Sequence, residues 1–207
     1  MAAVLDDLAL IARDVETRGW GCRDDFVDAD TARALCAHAA RLYSQGEFKP
    51  AAVGTGSQRS VRPEVRGDEI LWIDDTRQAP LSEACARFEA LRLTLNRELA
   101  LGLFEHEIHY ARFAPGAFYA RHVDRFSGDA SRVLSTALYL NDGWRGEHGG
   151  QLRLHLGGAS GPQTHDVLPR AGRLVVFLSH EICHEVLPAR RERFSLTGWF
   201  RTRSAGP

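Results

Sequence analysis

The chain has 207 residues, 44% hydrophobic and 26% charged, which is enough apolar material for one packed domain. Its 26 basic and 27 acidic residues are interspersed and nearly cancel to a formal net charge of −1, leaving no basic footprint for nucleic acid or an anionic membrane surface. Four cysteines, Cys22, Cys36, Cys85 and Cys183, lie scattered without C-x-x-C spacing and describe neither a disulfide framework nor a zinc ribbon.

In chain order, residues 3–18 have apolar positions at helical spacing with acids through the first half, unlike a signal peptide, and no apolar run approaches membrane-spanning length. A cytoplasmic, non-membrane, monomeric protein is the expectation. "GWGCRDDFV" follows as a short strand, and "DADTARALCAHAARLYSQGEF" as a second helix with acidic and Thr caps and Gly46 as its stop. "KPAAVGTGSQRSVRPEVRGDE" lacks periodicity and reads as an ordered or mobile surface loop; "ILWID" is a strand, and a third helix follows Pro80. From about residue 103 the texture changes to short β-rich runs: "HEIHYARFA", "AFYARHV", "VLSTALYLN", "GQLRLHL", "THDVLP", "RLVVFLS", "CHEVLPA" and "RFSLTGWFRT". Short strands separated by turn residues predict a mostly β sandwich or jelly roll. Helical support over about 1–102 would pack on one sheet of a β core over about 103–203, in a single domain over 1–207.

Within "FYARHVDRFSGDASR", His122 and Asp124 are two apart, and side chains at i and i+2 of a strand project from one face. His184, in a strand-like segment near the end of the β region, is the best third partner among the remaining histidines, while spacing alone equally describes H-x-D as a chance surface pair. Two histidines and one carboxylate on one face of an octahedron leave sites open for a bidentate cosubstrate and O2, the arrangement of non-haem Fe(II). Nine residues beyond His184, Arg193 opens "RFSLTGWF", where alternation places Arg193, Ser195, Thr197 and Trp199 on one face and Phe194, Leu196 and Phe200 on the other. An always-charged fork beside such a site suits a dicarboxylate. "HEIH" is one residue short of the zinc-protease motif, so His106 and His109 read as structural.

The combination of H-x-D, then "HEVLPA", then the arginine resembles the 2-oxoglutarate- and Fe(II)-dependent dioxygenases of the prolyl 4-hydroxylase type, and more narrowly the hypoxia-inducible-factor class and its bacterial relatives. The likeness also runs through "RGDEILWID", "FAPGAFYARHVD", "SGDASRVLSTALYLNDGW" and "GGQLRLHL", covering roughly residues 19–202. It implies a double-stranded β-helix core, Fe(II) held by His122, Asp124 and His184, and O2 as oxidant. It further implies 2-oxoglutarate as cosubstrate, anchored by Arg193 and Tyr139 with Thr197 and Trp199 lining its pocket, and ascorbate as a reductant. Arg66, Asp68, Trp72 and Arg132 match positions near the substrate groove, with Asp68 expected to pair with one of the two arginines. The implied activity is trans-4-hydroxylation of a prolyl residue in a protein partner, such as elongation factor Tu. Two alternatives are hydroxylation of a free amino acid or small metabolite, and a non-catalytic cupin-like metal or 2-oxoglutarate sensor. Relative to the animal enzymes, the segment from Asp124 to Tyr139 is one residue longer and the stretch before His122 is shorter.

Overall fold

The computed structural model describes residues 2–54, 60–124, 131–157 and 161–203, with side chains from residue 7 onward. Three helices, α1 (Ala2–Arg18), α2 (Ala29–Ser44) and α3 (Leu81–Leu99), pack on one face of a β sandwich. Before residue 103 the strands are β1 (Trp20–Arg23), β2 (Lys49–Pro50), β3 (Ala52–Val53), β4 (Ser60–Val61) and β5 (Asp68–Trp72). The β-rich region contributes β6 (Glu105–Phe113), β7 (Tyr119–His122), β8 (Arg132–Tyr139), β9 (Leu152–Leu156), β10 (Gln163–Val167), β11 (Leu174–Leu178), β12 (Cys183–Val186) and β13 (Arg193–Arg201). All eight runs that the texture predicts there form strands.

A seven-stranded sheet in the order β1-β11-β8-β13-β6-β5-β2 faces a four-stranded sheet in the order β10-β9-β12-β7, and β3 and β4 make a separate hairpin. Short strands assembled across large sequence separations into two opposed antiparallel layers form the jelly roll that the turn spacing predicts. The division at residue 102 is coarser than the molecule. β1, β2 and β5 all join the larger sheet, β1 through register pairs such as Trp20 with Phe177, because this sheet's outer strands find their partners in the N-terminal segment. The described part of the aperiodic stretch before Asp68 is ordered and carries short strands. It supplies β2 and the β3–β4 hairpin, and Arg66 forms an antiparallel bridge with Tyr119.

Helix boundaries follow local chemistry. The Asp28 carboxylate caps α2 by accepting from the Thr31 amide at 2.7 Å. Gly46, at φ +79°, adopts the left-handed conformation that ends the helix run. α3 buries Leu81, Ala84, Phe88, Leu91 and Leu95 at alternating spacings of three and four, the stripe a helix needs to lie on a sheet. Burying each Leu or Phe completely contributes ~1.5–3 kcal/mol. Two cores result. One joins the helices to the outer face of the large sheet through Ile108, Tyr110, Leu138, Phe194, Leu196 and Phe200; the other fills the space between the sheets through Ala111, Phe113, Tyr139, Leu154 and Phe177. β6, β8 and β13 divide their alternating side chains between the two, so every second residue of these strands points toward the inter-sheet space. Near the sandwich end, Gly149 has φ +65° and a Cβ there would lie 2.2 Å from the Pro188 carbonyl oxygen, so only glycine fits this crossing.

Candidate active site

A cavity of about 800 Å³ opens between the sheets. β7 and β12 pair with His122 and His184 as Cα partners, and the pleat sends both imidazoles inward. Asp124 lies just past the end of β7, with Oδ1 3.4 Å from His122 Nε2 and Oδ2 3.8 Å from His184 Nε2. One potential ligand atom from each of the three residues falls within 4.8 Å of the others, the one such metal-ligating cluster found among the described residues.

Each histidine has its second ring nitrogen committed. His122 Nδ1 donates to the Ala120 carbonyl at 2.7 Å and His184 Nδ1 to the Ile182 carbonyl at 3.1 Å. Because a carbonyl only accepts, Nδ1 carries the proton and the Nε2 lone pair of a neutral ring is free toward the cluster. Ser135 Oγ donates to Asp124 Oδ2 at 2.6 Å and lies 2.8 Å from the buried Ser179 hydroxyl, which orients the carboxylate from behind. Burial alone would raise the Asp124 carboxyl, but the adjoining histidines and the Ser135 hydroxyl hold it well below the usual carboxylate range. Burial pushes His184 down to about 4 against the attraction of Asp124. Near neutral pH, Asp124 is therefore ionised and His184 neutral.

Deeper in the cavity, Arg193 begins β13 opposite Phe113, and Tyr139 ends β8 opposite Ser195. Arg193 is only 2% exposed, with its guanidinium carbon 4.7 Å from the Phe113 ring centre and 5.0 Å from that of Tyr139. Arg193 Nε and Tyr139 Oη meet no hydrogen-bond partner among the described residues. Asp68, the acid whose charge reaches Arg193, is bonded to Arg66. Burial lowers the Arg193 pKa and raises Tyr139 to about 12, yet a guanidinium keeps its proton. The guanidinium and the phenol support each other electrostatically, and their remaining donors, Arg193 Nε and Tyr139 Oη, suit an anionic acceptor at this cavity end.

Around the rest of the cavity, Arg66 grips Asp68 bidentately, Nε to Oδ1 at 2.7 Å and Nη2 to Oδ2 at 2.5 Å. Of the two arginines expected to compete for Asp68, Arg66 thus holds it. Arg132 instead lies with its guanidinium carbon 3.6 Å from the Trp199 ring centre and Nη2 3.5 Å from Glu107 Oε2. Thr197 and Trp199 line the same cavity, as does Trp72, which is 36% exposed. Residues 125–130 of "DRFSGDASR" lie outside the described residues.

Both histidines of "HEIH" are packed structurally and both touch the cavity: His106 bonds Thr136 Oγ1 at 2.9 Å and stacks on Phe200, and His109 is a buried part of the cavity wall. His109 stacks on Trp199 at 5.3 Å and approaches Trp72 at 4.8 Å, its Nδ1 is unpartnered, and burial pushes it down to about 3, with Arg66 acting the same way. The signal was in the alternation of β6, where His109, Ala111 and Phe113 share the face opposite Ile108 and Tyr110. Sequence reasoning also missed Ser135, although it shares a β8 face with Ala137 and Tyr139, and Tyr119, which lies flat on His122 with ring centres 3.6 Å apart.

The donor set, two imidazole nitrogens with preset tautomers and an ionised carboxylate, fits a divalent iron, and the unpaired Arg193–Tyr139 end fits the distal carboxylate of a dicarboxylic acid. A family model described as the 2OG-Fe(II) oxygenase superfamily matches residues 108–201. The chain is 28% identical over 205 residues to a hypoxia-inducible factor prolyl hydroxylase of Caenorhabditis elegans, covering 94% of this chain but 28% of that protein. The chain thus spans less than a third of this curated relative's length. Among solved structures, a Pseudomonas putida prolyl-4-hydroxylase is 48% identical with a TM-score of 0.85, covering 95% of this chain and 100% of that one. A Trichoplax adhaerens prolyl hydroxylase, solved with a hypoxia-inducible factor peptide fragment, shares the fold at 23% identity and a TM-score of 0.84, covering 97% and 91% of the two chains. With its triad, its buried arginine and these likenesses together, the chain belongs to the 2OG-Fe(II) oxygenase superfamily, in its prolyl hydroxylase branch, whose reaction takes Fe(II), 2-oxoglutarate and O2.

Proposed function

We propose that the protein hydroxylates a prolyl residue of a protein substrate at the trans-4 position, with a translation factor such as elongation factor Tu as the substrate. The observation that carries this reading is the placement of the His122–Asp124–His184 cluster and the unpaired Arg193 and Tyr139 in one cavity, with aromatic side chains over the remaining wall. His122 Nε2, His184 Nε2 and an Asp124 oxygen would hold Fe(II). Once bound there, the metal supplies the activation of O2 that couples decarboxylation of 2-oxoglutarate to succinate and CO2 with insertion of one oxygen atom into a substrate C–H bond.

The chain's own residues bind and orient. Arg193 and the Tyr139 hydroxyl would donate to the distal carboxylate, fixing the cosubstrate by two points at the far end of the cavity. Ser135 and the Ala120 and Ile182 carbonyls hold the three ligands in their orientations, so little reorganisation is needed when a metal enters. Thr197 and Trp199 would line the cosubstrate pocket, and the half-exposed Trp72 offers apolar surface against which a pyrrolidine ring can pack.

An extended polypeptide is favoured over a free amino acid because neither candidate groove guanidinium presents a full fork to the carboxylate of a small metabolite. Arg66 is bound bidentately by Asp68, and Arg132 lies over Trp199 with a 3.5 Å approach to Glu107. The test incubates the protein with Fe(II), 2-oxoglutarate and ascorbate, and with elongation factor Tu or free L-proline, following succinate and product mass. Gain of one oxygen on a prolyl residue of the translation factor, without comparable turnover of free proline, is the expected result. Robust hydroxylation of free proline would move the reading to a small-metabolite enzyme, and absence of succinate with every substrate would move it to a sensor.

A further inference from the structure

We infer that Tyr119, braced by the Arg66–Asp68 pair, is a positioning residue for the metal site, so that the chain at the start of β5 acts on the His122 ligand through it. This rests on the reading of His122 as a metal ligand. Arg66 and Asp68 otherwise look like a groove-side ion pair, but their side chains are 15% and 1% exposed, and both guanidinium bonds go to the one carboxylate. The remaining face of the guanidinium lies over the Tyr119 ring, with its carbon 4.2 Å from the ring centre. Tyr119 in turn lies on the His122 imidazole at 3.6 Å, with the two planes only 19° apart. Guanidinium, phenol and imidazole therefore form one continuous stack, with the Asp68 carboxylate holding the guanidinium at its edge.

The backbone reinforces that stack. Arg66 bridges Tyr119 across the strand edge, Ala120 N donates to Val65 O at 2.7 Å, and Gly67 N donates to Phe118 O at 2.9 Å. Ala120 is also the residue whose carbonyl takes the His122 Nδ1 proton. The segment 65–67 thus fixes both the rotation of the His122 ring, through Tyr119, and the peptide that sets its tautomer, through Ala120. β7 has only four residues and pairs with β12 through a register irregularity, so its own ladder constrains the ligand weakly. A planar guanidinium on one aromatic face and an imidazole on the other keep the ring from turning, whereas an ammonium in place of Arg66 has no plane to stack.

The test measures Co(II) affinity and the visible absorption of the Co(II)-loaded protein, in the absence of substrate, for wild type, Tyr119→Phe, Tyr119→Leu, Arg66→Lys and His122→Ala. Tyr119→Phe keeps the stack and should match wild type in both readouts. Tyr119→Leu, at unchanged melting temperature of the metal-free protein, should bind Co(II) ~10-fold or more weakly with a shifted ligand-field band, the size of effect expected when a group orienting a ligand is removed. Arg66→Lys keeps a charge for Asp68 but removes the flat brace, and should fall between the two. Wild-type affinity and spectrum in Tyr119→Leu would overturn the inference. Should that variant fail to fold, unchanged affinity and spectrum in Arg66→Lys would overturn it equally. His122→Ala separates the two levels: if it still binds Co(II) as wild type does, the metal-ligand reading itself is wrong, whereas its loss beside an unchanged Tyr119→Leu removes the stacking role alone.

Discussion

Replacing Arg193 by Met tests the cosubstrate anchor and the cost of burying it in one experiment. The side chain is 2% exposed, has an unpartnered Nε, and faces a phenol whose hydroxyl is also unpartnered. A fork donating twice to a carboxylate makes two charge-assisted hydrogen bonds, each contributing ~1.5–3 kcal/mol. Tyr139 and the metal retain their hold on the ligand, and the variant no longer desolvates a cation, so a net loss of ~1.5–4 kcal/mol is expected, or ~10- to 1,000-fold in 2-oxoglutarate affinity. The metal-free fold should not suffer correspondingly, because Met fills similar volume while removing a buried charge whose fork is incompletely satisfied. Calorimetric titration of the Co(II)-loaded protein with 2-oxoglutarate gives the affinity, and thermal melts of the free protein give the stability. Wild-type affinity in Arg193→Met would refute the anchor, and a melting temperature many degrees lower would mean that the guanidinium holds the fold together instead.

His122→Ala, Asp124→Ala and His184→Ala should each abolish stoichiometric Fe(II) binding and 2-oxoglutarate turnover without unfolding the domain; decarboxylation persisting in Asp124→Ala would sink the triad. Ser135→Ala removes the 2.6 Å hydrogen bond to Asp124 and should weaken metal binding ~10-fold, measured by titration, with an unaltered melting temperature. Trp72→Ala and Arg132→Ala should raise the KM for a prolyl protein substrate more than they lower kcat, and the reverse split would place them in the chemistry instead. For acid stability, His109 is pushed down to about 3 in the fold, so below its unfolded pKa the unfolded chain takes up a proton the native state refuses. Stability should fall as pH drops from ~6.5 toward 3, by ~1.4 kcal/mol per pH unit from this group, and His109→Phe should flatten that limb in denaturant titrations across pH.

The residues of the candidate site were legible because they are tied to periodicities that local structure enforces. Two-residue spacing puts His122 and Asp124 near one site, and alternation along β13 separates Arg193, Ser195, Thr197 and Trp199 from Phe194, Leu196 and Phe200 whatever else the chain does. The helices followed from apolar spacing and capping groups in the same way. What sequence could not decide is pairing, since hydrogen-bond partners along a strand edge, unlike side-chain direction, depend on which strand arrives beside it. β1 and β5 therefore joined a sheet most of whose members lie far along the chain, and the described residues before Asp68 are held by pairing with β5 and by the bridge from Arg66 to Tyr119. The choice of Arg66 over Arg132 for Asp68 has the same origin. The two arginines carry identical groups, and only the arrival of β8 and β13 next to β6 sets Arg132 against Trp199 and Glu107. His109 changes role likewise, because an imidazole on a strand is a core residue or a cavity wall according to what stands opposite, and the opposing sheet is contributed by residues up to some seventy-five positions away.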